Sequence, residues 1–277
     1  MKKNERAAAI VRTIVVSLIA VLFVVPLVWM VLSSLKTAPE VFARPFHWLP
    51  AKAQWQNYAT VWMNEEASML RAFANTLYIA LFSIIGQMFI SSLAAYSFAK
   101  INFKGKQVVF MLFLSSMMVP SQLTIIPRFM LFKTIGLYNN LWAIILPAFF
   151  GATSIFMLRQ FYMGLPNDLI EAAKIDGAGH LRIFLRIMLP LTKAALMSLI
   201  ILAFISSWNE YMAPLIFLVK KELYTVSQNI QWEMLEEFKE HNLTMAAATS
   251  AIVPVVILFI VGQKYFVEGI ATSGVKG

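Results

Sequence analysis

Few residues in this chain have the types and spacing that chemistry requires, and they fall into four groups. The stretch LPNDLIEAAKIDGAGHLRIFLRIMLP, Leu165 to Pro190, mixes charges with alanine and glycine between two long apolar runs. The stretch SWNEYMAPL gathers Trp208, Asn209, Glu210 and Tyr211 ahead of Pro214. The histidines, His47, His180 and His241, are scattered and lack the HExxH-like spacing of a zinc site. GIATSGVK, Gly269 to Lys276, has two glycines at phosphate-loop spacing, but Val275 intervenes before the lysine, so the match is accidental. There is no GxSxG elbow. The expectation is a chain that is not an enzyme and holds no cofactor of its own.

Composition decides which solvent these groups meet. Sixty per cent of the 277 residues are hydrophobic and 13% are charged, more apolar surface than a water-soluble domain of this length can hide. Charge-free runs cover residues 13–35, 72–99, 107–127, 134–158 and 242–263, and a sixth, 194–219, is interrupted only by Glu210. A helix crosses the hydrocarbon core in about 20 residues. The runs therefore predict an all-α membrane protein with six transmembrane helices in one domain, 13–263, flanked by tails 1–12 and 264–277. The first run is longer than the roughly 7–15 residues of a secretion-signal core and reads as an uncleaved span.

The basic residues orient these spans. With the N-terminus inside, the inner segments are 1–12, 100–106, 159–193 and 264–277, and they carry all of the +9 net charge. That bias predicts both termini inside. It also removes nucleic acid as the reason for the basic character. The outer loop 36–71 carries Pro39, Pro45 and Pro50 with Trp48, Trp55, Tyr58 and Trp62, aromatics of the kind that anchor at headgroup level. Pro120 and Pro127 rule out one uninterrupted helix there, and a short helix is expected around EMLEEFKE in the last outer loop. The chain has no cysteine, hence no disulfide.

The inner loop 159–193 has its own punctuation. Asn167 stands as an N-cap, with Asp168 and Glu171 in the first turn, where the helix dipole favours negative charge. Asp176-Gly177 reads as a stop, because glycine adopts the left-handed conformation readily. A second helix follows from about Ala178 to Pro190. The first helix, about eight residues or 12 Å long, presents Ala172 and Ala173 beside Glu171, and small residues permit close approach by another surface.

A transporter needs an energy source. Ion-coupled carriers place ionisable groups in mid-membrane, and here only Glu210 interrupts a span, reading as a cavity cap or local partner more than a proton relay. If the chain transports, its engine is another chain. Trp208, Asn209, Glu210 and Tyr211 could contact a hydroxyl-rich ligand. Equally, the aromatics could be interfacial anchors and Asn209 could join helices, worth about 1 kcal/mol. A cluster of basic residues in the span cavities would favour an anionic solute, and the spans contain none.

EAAKIDGAGHLRIFLRIMLP resembles the EAA signature of permease subunits in binding-protein-dependent ABC importers: E-A-A, three residues, G, nine residues, then I-x-L-P. Glu171-Ala172-Ala173, Gly177, Ile187 and Leu189-Pro190 match it in type and spacing. The likeness continues through FARPFHWLP, NYATVW, SLAAYSFAKINFKGK, MMVPSQLTIIPRFMLFKTIGLYNN, SWNEYMAPL and KYFVEGIATSGVKG, in the manner of the smaller maltose-type permease of carbohydrate uptake. One departure is DGAGH, where many relatives have Ser after Gly-Ala.

The resemblance implies a type I permease bundle in a bacterial or archaeal cytoplasmic membrane, paired with a second permease subunit as a heterodimer. It implies a coupling helix, here Glu171, Ala172, Ala173, Asp176 and Gly177, that docks in a cleft of the ATPase. Two cytoplasmic ATPase subunits would hold ATP and Mg, and an extracytoplasmic solute-binding protein would deliver a sugar or oligosaccharide. In maltose-type relatives the C-terminal tail also reaches the ATPases. The alternatives are a permease for a polyol or glycerol phosphodiester, and an autonomous six-span carrier or channel.

Overall fold

Inside hydrocarbon every backbone N–H and C=O must be satisfied within the protein, so the apolar runs have little choice but helix. The computed structural model describes residues 2–66, 68–235 and 240–274, with the side chains of residues 2–7, 233–235 and 264–274 excepted. Regular structure among the described residues is entirely helical. The chain divides into two units, residues 1–70 with 229–253, and residues 71–228 with 254–277.

In the first unit, α1 (Lys2–Ser33) is uncharged on all sides from Thr13 onward. Its side chains from Ile10 to Val25 are exposed, as suits a helix solvated by lipid. The short helices α2 (Ala38–Val41) and α3 (Gln56–Trp62) follow. The loop that carries them is tied down by a buried polar knot. Asn57 Nδ2 donates to the carbonyls of Ser34 (2.8 Å) and Lys36 (2.9 Å), and Asn242 Nδ2 donates to Asn57 Oδ1 (3.2 Å). The Lys36 side chain is fully buried, donates to the His47 carbonyl and lies 5.3 Å from the Phe46 ring centre.

The four aromatics of this loop divide. Trp48 and Trp55 are exposed, as interfacial anchors are. Tyr58 and Trp62 instead use their polar tips inside the unit, with Tyr58 Oη 2.6 Å from Ser34 Oγ and Trp62 Nε1 donating to Ser250 Oγ (3.1 Å). Glu40 accepts the backbone N–H groups of Thr37 (3.0 Å) and Ala51 (3.1 Å). These bonds, Thr37 first, hold its carboxyl below the ordinary glutamate value. Their contribution is present above the unfolded carboxyl's pKa and is lost as pH falls through the lower folded one.

In the second unit α4 (Met69–Lys100) is the strut. Ile79 belongs to one apolar cluster, with Phe132, Ile145, Phe217 and Leu218. Met88, Ala95 and Tyr96 belong to another, with Leu158, Tyr162, Ile170, Ala173, Ile183 and Phe184. The remaining helices are α5 (Lys106–Ser115), α6 (Ser121–Thr134), α7 (Trp142–Ala148), α8 (Ala152–Met163), α9 (Asp168–Ile175), α10 (His180–Ile183), α11 (Leu189–Leu191), α12 (Lys193–Trp208) and α13 (Met212–Phe217). Two further helices run from one unit into the other, α14 (Val226–Leu235) and α15 (His241–Gly274). The helix expected around EMLEEFKE is covered by α14 as far as Leu235, and residues 236–239 lie outside the described residues.

Several apolar runs are not single helices. Four helical stretches are long and apolar enough to span, Ala8–Ser33, Met69–Lys100, Trp142–Met163 and His241–Gln263. Two bent pairs, Lys106–Met118 with Ser121–Thr134 at 96° and His180–Leu191 with Lys193–Trp208 at 76°, bring the number to six if each pair is one span. Pro120 makes the first bend, whereas Pro127 is accommodated inside α6. The run 194–219 is broken at residues 209–211, between α12 and α13. The cause is Pro214, whose ring would meet the carbonyl of residue 210 in a continuous helix but fits the first turn of a new one. Past Thr134, which ends α6, the run 134–158 is helical again only from Trp142, after Gly136 (φ 76°) and Asn139 (φ 59°).

Asn57→Ala should destabilise the first unit by about 2–4 kcal/mol, since two buried carbonyls lose their donor. A lower thermal-unfolding midpoint in detergent, without loss of membrane insertion, is the expected reading.

Candidate functional site

Two places in the second unit gather the residues singled out above. The first is the loop around α9. Its inner face is set by Ile170 and Ala173, both buried in the cluster that includes Tyr96 and Phe184. Leu169, Ala172 and Ile175 lie on another side of the helix and are exposed, Ile175 at 87%. Glu171 and Asp176 are exposed beside them. Of the two alanines, Ala172 is therefore open to a partner and Ala173 packs inward. Leu169 and Ile175 escaped the sequence reading, although their three-residue spacing from Ala172 was visible there.

Gly177 ends the helix as expected. Its φ of 76° lies in the left-handed region, its N–H donates to the Lys174 carbonyl (3.0 Å), and Ala178 N–H reaches the Ala173 carbonyl (2.9 Å). That pair of bonds is a Schellman stop. The expected side-chain cap at Asn167 is not made. Its backbone is already helical, and its Oδ1 accepts a bond from Lys100 Nζ (2.6 Å), which also donates to the Leu165 carbonyl (2.7 Å). Lys100, the last residue of α4, thus clamps the start of the loop. Tyr96 Oη lies 3.0 Å from His180 Nδ1 and holds its far side. Arg159 Nε donates to the Phe98 carbonyl (3.3 Å), with its guanidinium 4.1 Å from the Phe110 ring centre. The second helix of the loop starts at His180 and carries a π turn, Phe184–Met188, before Pro190, which has no N–H for a regular helical bond.

The second place is a cavity of about 410 Å³. Three breaks in the helices meet on its wall. Ser121 and Gln122 follow the break at Pro120, Phe150 and Gly151 lie in the break between α7 and α8, and Glu210 lies in the break between α12 and α13. From α4 come Ser83 and Gln87, one turn apart, on the stretch between the two apolar clusters. Gln87 Nε2 donates to Ser154 Oγ (3.1 Å), and a Cβ at Gly151 would collide with the Gln87 amide. A larger residue there would have to displace the amide from the position it holds on Ser154.

Of the four residues in SWNEY, only Glu210 lines this cavity. Its Oε1 accepts the Ala213 N–H (2.9 Å), one of the unpaired donors at the start of α13. Trp208 is buried, stacked on Phe204 (5.4 Å) and edge-on to Phe73 (5.3 Å). Asn209 turns back to the Ile205 carbonyl (2.8 Å), and Tyr211 is half-buried at the entry to α13. Neither interfacial anchoring nor an open stacking face describes Trp208. The wall also holds Arg128, within electrostatic reach of Glu210. The sequence reading left Arg128 in an outer segment and passed over Gln87 and Gln122 because it followed charge. Uncharged amides inside apolar runs were the signal available.

The family model described as binding-protein-dependent transport system inner membrane component matches residues 87–272. The chain belongs to that family. It is 33% identical to the arabinooligosaccharides transport system permease protein AraQ of Bacillus subtilis (strain 168) over 96% of this chain and 95% of the relative. It is 30% identical to the sn-glycerol-3-phosphate transport system permease protein UgpE of Escherichia coli O1:K1 over 84% of this chain and 85% of the relative. Its fold is similar to a solved bacterial ABC transporter involved in import of the acidic polysaccharide alginate, with a TM-score of 0.84, 24% identity and coverage of 95% of this chain and 98% of the other. The matched region contains the loop and, apart from Ser83 and Ile84, the lining of the cavity, so the chain is a membrane component of a multi-part ABC import system.

Lys100→Met should leave the permease inserted but speed amide exchange in residues 165–178 about tenfold or more, because a hydrogen bond to a charged group is worth about 1.5–3 kcal/mol. Mass-spectrometric exchange on loop peptides would register it. Gly177→Val should cost about 1–3 kcal/mol of local strain, whereas Gly177→Asn, which tolerates the left-handed region, should behave close to the parent in the same exchange experiment. Open space around Gly177 leaves backbone conformation as the sole difference.

Proposed function

We propose that this chain is the smaller, non-catalytic permease subunit of an ATP-driven importer for a sugar or oligosaccharide. It forms half of the translocation path with a second permease subunit, in a bacterial or archaeal cytoplasmic membrane. Solute arrives from an extracytoplasmic binding protein, while ATP and Mg are bound by two cytoplasmic ATPase subunits. The chain crosses the membrane six times with both termini cytoplasmic, so that segments 1–12, 159–193 and 264–277 face the ATPases. Residues 275–277 of the tail lie outside the described residues.

One observation carries the coupling role. The inner face of α9 is embedded in the core while Ile175 stands 87% exposed beside Glu171 and Ala172. Exposed apolar side chains rimmed by charge mark an interaction surface. Because α9 is gripped by Lys100 on one side and bonded through His180 to Tyr96 on the other, a push on it is delivered to α4. Glu171 meets a polar or basic group of the ATPase cleft, Ala172 allows close approach, and Ala173, Asp176 and Gly177 hold the helix and its turn in place.

The carbohydrate reading is supported by the likeness to an arabinooligosaccharide permease. The likeness to a glycerol-3-phosphate permease supports a second reading, a polyol or glycerol phosphodiester.

Ile175→Glu tests the docking role cleanly, since a residue this exposed supports no packing. In the reconstituted transporter, Ile175→Glu and Glu171→Lys should each cut uptake about tenfold or more, as loss of an interface anchor does, and uncouple ATP hydrolysis from it. Full uptake in both variants would sink the docking role. A single cysteine at Ala172, in a chain with no other cysteine, should crosslink to the ATPase in an ATP-dependent manner.

A further inference from the structure

We propose that the cavity at the helix breaks is where this subunit touches its cargo, and that it is built for an electrically neutral, hydroxyl-rich solute. The inference rests on the carbohydrate reading above and narrows it. Discontinuous helices at membrane depth are where transporters expose backbone groups to a ligand, and three breaks meet here. The volume, about 410 Å³, is that of a small-molecule site.

The wall is chemically mixed. Ser83, Gln87 and Gln122 carry groups that donate and groups that accept, Arg128 only donates, and Glu210 only accepts. A sugar hydroxyl both donates and accepts, so it can use every one of them. A phosphate or carboxylate has no proton for Glu210 and is repelled by it. Arg128 and Glu210 are the two charged residues of the wall, so their charges cancel and no net field draws in an anion. Each is held ready. The Arg128 guanidinium lies 4.9 Å from the Phe217 ring centre, and its Nε–H is buried with no acceptor among the described residues. Glu210 uses Oε1 on Ala213, and a carboxylate has further acceptor capacity. The exposed ring of Phe150 adds a flat apolar surface for the C–H face of a sugar.

The chain lacks cysteine, so Ser207→Cys, with Gln122→Cys as a second reporter, samples the cavity wall. The complete transporter is assembled in liposomes. Labelling by a small neutral maleimide is timed with arabinotriose, maltotriose or diacetylchitobiose as neutral probes, and with digalacturonate or sn-glycerol 3-phosphate as anions. Uptake of the neutral sugars is followed in parallel. At least one neutral sugar should slow labelling about tenfold when present at about ten times its half-saturating concentration, and neither anion should. Arg128→Gln should raise the concentration needed for half-protection about tenfold or more, and Glu210→Gln should admit protection by digalacturonate. Protection by an anion in the parent chain overturns the charge argument. If the neutral sugars are taken up while both reporters label at an unchanged rate, or label not at all, the cavity is not the contact site. If no neutral sugar is taken up, the carbohydrate reading fails and this inference with it.

Discussion

A break in a helix at membrane depth leaves backbone N–H and C=O groups without partners, and lipid supplies none. The second unit is organised around that constraint. Its breaks at Pro120, at residues 149–151 and at residues 209–211 collect on one cavity wall, where Glu210 takes an otherwise unpaired N–H of α13. Asn139 does comparable work at the other end of α13, accepting the Val219 and Lys220 N–H groups at 3.1 Å each. Backbone groups freed by the breaks are thus met by side chains of the protein itself.

The same strut serves the loop. On α4, Ile79 is set in one apolar cluster, Ser83 and Gln87 line the cavity, and Met88, Ala95 and Tyr96 sit in the cluster that holds α9. Lys100 then ends the helix on the carbonyl of Leu165 and the amide of Asn167. One rigid helix therefore runs from the cavity wall to the helix that carries the EAA residues. The loop has no core of its own, since Ile170, Ala173, Ile183 and Phe184 share a cluster with Ala95 and Tyr96.

The legible part of the site was local. The positions of α9 and its glycine stop followed from short-range chemistry: acids in a first turn and a glycine placed for the left-handed region. Asn167 was the local exception. Its side chain had a stronger partner in Lys100, a cation 67 positions away, and no local rule weighs a distant competitor. The SWNEY stretch shows the other failure. Four adjacent residues looked like one site, but the break between α12 and α13 sends them in different directions, with Trp208 into an aromatic stack and Glu210 to the cavity.

The sequence by itself determined that the solvent is lipid, that the regular structure is helical, which family's signature the loop carries, and where α9 begins and stops. Each of these depends on composition, or on residues within a few positions of one another. Only the tertiary structure decided that Arg128 and Glu210 share a wall, that Gln87 and Gln122 join them, and that Ala172 faces outward while Ala173 faces the core. The physical reason is that apolar runs specify helices without specifying how those helices bend or which faces meet. Those choices are made by prolines acting on carbonyls four residues back and by packing between segments far apart in the chain.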